Sequence, residues 1–459
     1  MSILKLIQNF NKKKRTLFTT PSHNQGAIIF PANKRLLGEK IFACDYSEIE
    51  GFDNLSLPEG AIYESQKKTS EIYQSKQSFY LINGSTSGIN AAMLASLKTG
   101  DKVIISRSCH KSVYNGLVLS GAIPIWICPS LDEEWGIYKP IQNKEIEEAY
   151  NYFPDVKAVV ITNPSYEGAI SNLGKISTFC KEKNLILIVD EAHGALWNFD
   201  KTIGIPSIYE KADITVQSLH KTAGALNPSA VLHVAKDSKV QAEKIQEALN
   251  LLNTTSPSYP ILANIENTIN FLNSKKGKSE IAELINNIIN FKKNLEKYKD
   301  IQIFNENNDI SKILVKIDGL TGFELSEILF SRFRIEDEMA NNKSVLFLTG
   351  IGTTKSKLNK LEKVLKKTSK NKEKYKKKIN CENSEKNTLI VPQVVISPRQ
   401  AHEGSFEEVK VEKSVGYISK ELITKYPPGV PLLIPGEAIQ EEHIKQILGI
   451  QQTIKIICN

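Results

Sequence analysis

The sequence predicts an α/β protein: a large domain on a mostly parallel seven-stranded sheet, then a small α/β domain and a C-terminal module. Three observations carry this expectation. Between residues 78 and 234, short apolar runs alternate with amphipathic stretches, as in strand–helix units packed around a parallel sheet. A smaller α/β pattern follows over 313–349. Beyond it, the run TSKNKEKYKKKINCENSEKN (368–387) is almost devoid of apolar residues and separates these units from a Pro- and Gly-rich end.

The candidate strands are FYLI (79–82), KVII (102–105), AIPIWI (122–127), KAVVIT (157–162), LILIVD (185–190), ITVQS (214–218) and AVLHV (230–234). Segments 88–97, 144–150 and 176–183 carry apolar residues at helical spacing and should cover the sheet faces. From 240 to 298 the pattern is mostly helical, with a break marked by Pro257 and Pro260. ILVKI (313–317), a helix over 322–330, VLFLT (345–349) and a Lys-rich helix make the small unit. The chain thus divides into an N-terminal segment (1–65), a large domain (66–255), linker helices with the small domain (256–370), and a linker with the C-terminal module (371–459). No internal repeat is detectable.

A chain of 459 residues with 41% hydrophobic and 24% charged residues has ordinary globular usage, not that of a disordered or fibrous protein. The start, MSILKLIQNFNKKKRT, lacks the apolar core of a secretory signal, and no later run approaches the roughly 18 apolar residues of a membrane span. A cytoplasmic protein without a membrane partner is expected. Cys44, Cys109, Cys128, Cys180, Cys381 and Cys458 are scattered with no CxxC pair, which argues against a disulfide framework or a metal site and fits a reducing compartment. The net charge of +8 sits largely in lysine runs at 12–15 and 355–378, where only Tyr375 interleaves. These runs read as solvated helix and linker, not as a nucleic-acid surface.

In open α/β sheets ligands bind outside the carboxyl ends of the strands, so the polar residues that follow each apolar run are the candidates. After FYLI, the stretch NGSTSG places Ser85, Thr86 and Ser87 where a helix opens, offering N–H groups, hydroxyls and a positive dipole end to a phosphate. An ordinary N-cap reads the same way. After KVII, SRSCHKS places His110 where its ring can stack on an aromatic cofactor and Ser112 can add a hydrogen bond; a surface-loop histidine is the alternative. Asp190 ends LILIVD, and an acid closing a buried strand needs a cation. A protonated pyridine nitrogen is such a cation, whereas a metal lacks companion ligands, and a plain helix cap remains open. After ITVQS come His220 and Lys221, a lysine where desolvation lowers the pKa and frees the amine for Schiff-base formation, with Ser218 beside it for a phosphate. Each signal is weak alone. Their order, phosphate loop then strand-terminal Asp then lysine, points to pyridoxal 5'-phosphate (PLP).

These residues resemble the fold-type I PLP enzymes, and more narrowly the Orn/Lys/Arg decarboxylase family in its short form, over nearly the whole chain. PSHNQG (21–26) looks like the family's PGHxxG, and DYSEIEGFDNLSLPEGAI (45–62) like its acidic-start segment. FYLINGSTSGIN, SRSCHKS, ITNPSYEG (161–168), VDEAHG and SLHKT are similar to its cofactor-site motifs, and YPPGVPLLIPGE (426–437) to its C-terminal signature. The resemblance implies Lys221 as the Schiff-base lysine, Asp190 as partner of the pyridine nitrogen and His110 as the stacking ring. It places Ser85, Thr86, Ser218 and His220 around the phosphate, His193 at the ring's hydroxyl side, and Glu338 of IEDEMANN at an acidic position of the small domain. Ser22 departs from the family's Gly, and SPRQAHEGSF (397–406) departs after SPR, which bears on the substrate more than on the cofactor.

The activity so implied is decarboxylation of arginine, lysine or ornithine to an amine and CO₂, in a homodimer or larger homo-oligomer serving polyamine or diamine synthesis. Lys221 and His220 are the candidate proton donors to the substrate carbon, and Asp53, Glu59 and Glu338 the candidate partners for its cationic side chain. The alternatives are another fold-type I reaction, transamination or elimination, for which Arg399 is the one candidate carboxylate ligand, and a non-catalytic regulatory relative. The presence of both Lys221 and Asp190 argues against the latter.

Overall fold

The computed structural model describes residues 1–13, 15–306, 308–376, 392–425 and 430–458. Cys381, most of the linker run and the first four residues of YPPGVPLLIPGE lie outside the described residues.

Seven strands form one sheet: β1 (Gln77–Leu81), β2 (Lys102–Ser106), β3 (Ile123–Ile127), β4 (Ala158–Thr162), β5 (Ile186–Asp190), β6 (Ile214–Ser218) and β7 (Ala230–Val234). Their order is β1-β7-β6-β5-β4-β2-β3, and every pairing is parallel except the two made by β7. The runs are short and continuously apolar because both faces are covered. In β2, Val103 and Ile105 pack into one core while Ile104 packs into the other; in β5, Ile188 faces the first and Leu187 and Val189 the second.

Helices Gly84–Ser96, Lys111–Ser120 and Ala242–Leu252 supply the first core through Ile89, Val113, Leu117 and Ile245. Asn143–Tyr152 and Leu173–Glu182 supply the second through Ile146, Ile176 and Phe179. Helix Gly84–Ser96 lies hard against the strands. A Cβ at Gly88 would fall 2.5 Å from Leu81 Cδ1 and 2.7 Å from Val216 Cγ1, so only glycine permits the approach.

The chain folds around the sheet in three further pieces. Helix Ile3–Lys12 buries Ile3, Leu6, Ile7 and Phe10 on one stripe. Its first amides, Ile3 N and Leu4 N, donate at 3.1 and 3.0 Å to the carboxylate of Glu266, a buried acid at the positive end of a helix. Helices Tyr259–Leu272 and Lys275–Leu295 join this stripe to a four-stranded antiparallel sheet of β8 (Ile301–Ile303), β9 (Lys312–Ile317), β10 (Met339–Ala340) and β11 (Val345–Leu348). Pro260 sits in the first turn of its helix, where its missing N–H is harmless, so the break falls before it, at 253–258.

The C-terminal module has its own core of Val411, Leu433, Ile439, Ile447, Ile454 and Ile456. It is keyed to the large domain by Arg107, fully buried just past β2. Its Nη1 and Nη2 donate to Glu437 at 2.6 and 2.9 Å, Nη2 also to Leu432 O at 3.0 Å, and its guanidinium lies 4.8 Å from the Trp126 ring.

Candidate active site

The chain leaves β2 toward β3 on one side and returns to β4, β5 and β6 on the other. That reversal opens a crevice at the strand ends. A cavity of about 340 Å³ lies there. Its walls come from the ends of four strands: Ser106 and His110 after β2, Thr162 and Tyr166 after β4, Asp190 and His193 after β5, and Lys221 after β6. Ser85 and Glu338 complete it from the first helix and the small domain.

Lys221 stands in the single helical turn Leu219–Thr222 that follows β6, its Nζ 3.1 Å from His193 Nε2. Burial lowers its pKa, against the pull of the Asp190 and Glu338 carboxylates. Asp190 is 3% exposed, and its Oδ1 accepts one backbone N–H, from Ala192 at 3.1 Å. No helix follows it, so the helix-cap reading falls. His110 caps helix Lys111–Ser120, its Nδ1 taking the Ser112 amide at 3.2 Å and lying 2.9 Å from the Ser112 hydroxyl. Burial holds its pKa down, with Lys221 and Lys111 reinforcing and Asp190 opposing.

Ser85 and Ser218 meet hydroxyl to hydroxyl at 2.7 Å beside the N-terminus of helix Gly84–Ser96. Thr86 belongs to the same first turn without lining the cavity. Ser87 turns its hydroxyl back onto Gly84 O at 2.9 Å, so only its backbone amide remains for an anion. His220 places Nδ1 3.1 Å from Ser229 O and likewise stays outside the cavity lining.

Two expectations about charge partners require correction. Asp53 is not available to a substrate: its carboxylate accepts the amides of Asn54, Glu59, Gly60, Ile62 and Tyr63 at 2.7–3.2 Å and caps helix Ala61–Tyr73. Arg399 is no substrate ligand either. It donates to Val118 O at 2.9 Å, to Leu119 O and to Thr99 Oγ1 at 2.9 Å, and so closes the C-terminus of helix Lys111–Ser120. Glu59 is exposed and does not line the cavity. Glu338 does reach it, accepting the Tyr166 hydroxyl at 2.6 Å.

Sequence reasoning set Tyr166, Thr162 and Glu167 inside the ITNPSYEG motif without singling them out, and passed over Lys312. The first three follow a strand end, and the rule that selected Asp190 and Lys221 would have selected them. Tyr166 packs edge-on to His193 at 5.1 Å, and Glu167 is a buried acid held by Ser165 Oγ at 3.0 Å, with its pKa raised by burial. Lys312 opens β9 with no such signal, and its Nζ lies 3.0 Å from His193 Nδ1.

The buried groups fit the pyridine cofactor. Asp190 is desolvated with a single amide partner, and the Thr162 hydroxyl, its neighbour across β4 and β5, is buried without a partner among the described residues. Both border a cavity whose other walls offer an amine, an imidazole and a hydroxyl-lined helix start. A ring with a protonated nitrogen and polar substituents satisfies them together.

Fold and site together define a PLP-dependent enzyme of fold-type I. The chain matches the Orn/Lys/Arg decarboxylase major domain over residues 2–315 and the corresponding C-terminal domain over 381–455. It belongs to the Orn/Lys/Arg decarboxylase family, and is a PLP-dependent amino-acid decarboxylase. It is 31% identical to the arginine decarboxylase of Halalkalibacterium halodurans over 443 residues, covering 94% of this chain and 89% of that protein. The arginine decarboxylase of Bacillus subtilis is 28% identical over 441 residues, with 94% and 89% covered. Among solved structures, lysine decarboxylase A of Pseudomonas aeruginosa superposes with a TM-score of 0.85 at 18% identity, over 99% of this chain and 80% of that one.

Proposed function

We propose that the enzyme decarboxylates a basic amino acid, with arginine the first of arginine, lysine and ornithine to test, and that Lys221 carries the cofactor. The observation that supports the reading most is the convergence of Lys221, Asp190, His110 and Glu338 on one cavity at the strand ends. The arginine preference draws on the names of the relatives that are 28–31% identical.

When bound, PLP supplies the electron sink for the pair left by the departing carboxylate. Asp190 would keep a proton on the ring nitrogen, since its desolvated carboxylate favours a cation there. His110 lines the same cavity and would help fix the plane of the ring. Ser85, Ser218 and the amides at the start of helix Gly84–Ser96, with Thr86 and Ser87 in the same turn, would hold the phosphate, and His220, directed to Ser229 O, stays outside the cavity lining. Glu338, steered by Tyr166, faces the substrate's cationic side chain. Lys221 is the better placed proton donor to the substrate carbon, because it lines the cavity and His220 does not.

A cytoplasmic setting, homodimerisation and a role in polyamine or diamine synthesis belong to the same reading. Cys44, Cys109, Cys128, Cys180 and Cys458 are unpaired, which fits a reducing compartment. The holoenzyme should release CO₂ and the matching amine from one of the three substrates and form no keto acid; keto-acid formation, or no turnover of any of them, would overturn the proposal. Glu338→Gln should raise KM for that substrate by about ten-fold with a smaller change in kcat, as expected for a lost charge contact.

A further inference from the structure

In the wall of the cavity two lysines flank one imidazole. His193 lies 3.1 Å from Lys221 Nζ through Nε2 and 3.0 Å from Lys312 Nζ through Nδ1. Lys312 is fully buried at the start of β9, in space left by Gly168: with φ at +101°, a Cβ there would sit 2.4 Å from Lys312 Cγ. The reaction described above assigns no task to this second amine.

A neutral imidazole has one N–H and one lone pair, so two ammonium groups cannot both donate to it. His193 is kept neutral, its pKa held far down by burial and then by Lys312, Lys221, His110 and His220. One lysine therefore donates and the other accepts. Burial pulls both amines down, so the need for one nucleophilic amine decides which. Lys312 feels the charge of Asp309, whose carboxylate is fixed by Trp197 Nε1 at 2.9 Å and Ser311 N at 2.7 Å, with Glu338 adding to that pull and a protonated Lys221 opposing it. Burial brings its pKa down to about 8, so near neutrality it still holds its proton. Lys221, facing Asp190 and Glu338, is the amine that the chemistry needs as a free base.

We propose that Lys312 is a positioning residue: by donating to Nδ1 it fixes His193 as the Nε2–H tautomer, which donates to Lys221 Nζ and holds that amine unprotonated and aimed into the cavity. The proposal rests on Lys221 as the cofactor lysine, and it assigns Lys312 a role through His193 alone.

The test is competitive labelling of the full chain, stripped of cofactor, with acetic anhydride across pH, reading Lys221 by peptide mass spectrometry. Lys312→Met should raise the midpoint of Lys221 by about one pH unit, roughly ten-fold slower labelling near neutrality. Lys312→Arg should restore it, because a guanidinium always donates. In a His193→Phe background, Lys312→Met should move the midpoint by less than about a third of that. An equal shift in both backgrounds would reduce Lys312 to a through-space charge, and no shift in either would make it structural; both overturn the proposal. If a variant does not fold by circular dichroism, Lys312→Leu or His193→Leu takes its place. A correct shift at Lys221 with PLP attached to another lysine would sink the cofactor assignment and leave the tautomer assignment standing.

Discussion

Adjacent residues in VDEAHG meet different fates, and the difference is burial and company. Asp190 keeps a nearly unpartnered carboxylate at the cavity, while Glu191 points behind the strand. There it accepts Ser207 N at 2.6 Å, the Ser207 hydroxyl and Gln217 Nε2 at 2.5 Å, and burial pushes its pKa up to about 7. Lys312 is the converse case, a cation held where it destabilises the fold. An ammonium whose pKa falls from 10.5 to about 8 on burial loses roughly 3 kcal/mol of preference for its charged form. Between those two pH values the unfolded chain retains a proton that the folded one has released, so stability rises with pH there and the penalty is complete below the folded value. Lys312→Met should therefore raise the melting temperature of the cofactor-free protein by roughly 2 °C or more at pH 7, and the gain should fade by about pH 10.5. An equal melting temperature at pH 7 would contradict the assigned burial cost. A residue that weakens the fold while ordering the site follows the usual conflict between stability and function.

At the scale of elements, the strands were legible because each is a continuous apolar run buried on both faces, and the polar residue ending such a run marks a ligand position. This exposed Asp190, His110 and Lys221. Helix Lys111–Ser120 was not legible: its buried face interleaves Val113 and Leu117 with Ser112 and Gly116, and a Cβ at Gly116 would fall 2.3 Å from Met93 Sδ, so small residues dilute its apolar stripe. Lys312 was hidden for a different reason, since its partner His193 is 119 residues away. The same distance problem hid the Arg107–Glu437 lock across 330 residues. Removing one partner of a fully buried, bidentate pair strands the other charge, and Arg107→Ala should cost about 3–5 kcal/mol in urea denaturation. Arg107→Met with Glu437→Leu should recover most of that loss; a double variant as weak as the single one would mean the pair itself holds the module in place.

For the whole molecule, the sequence conveyed that one large sheet and a smaller antiparallel one exist, but not the strand order, which decides where the crevice opens. It also gave no hint that the N-terminal segment would leave Phe18, Ile28, Phe30, Leu36 and Leu57 between 67% and 95% exposed. Apolar residues of that size, clustered in one stretch of chain, suit a covered surface. A second copy of the chain is the proposed cover, consistent with the preference of soluble oligomers for two-fold pairing. Phe18→Asp with Leu36→Asp should turn a dimer into a monomer in sedimentation analysis, and a wild-type monomer at micromolar concentration would refute the dimer.

The strand-end constellation is proposed to hold PLP on Lys221, and a second buried lysine in the site, Lys312, allows a direct test. The holoenzyme should be reduced with borohydride, digested and mapped by mass spectrometry. A single pyridoxyl modification is expected on Lys221, lost in Lys221→Ala. Modification of Lys312, or no fixed modification at all, would contradict it.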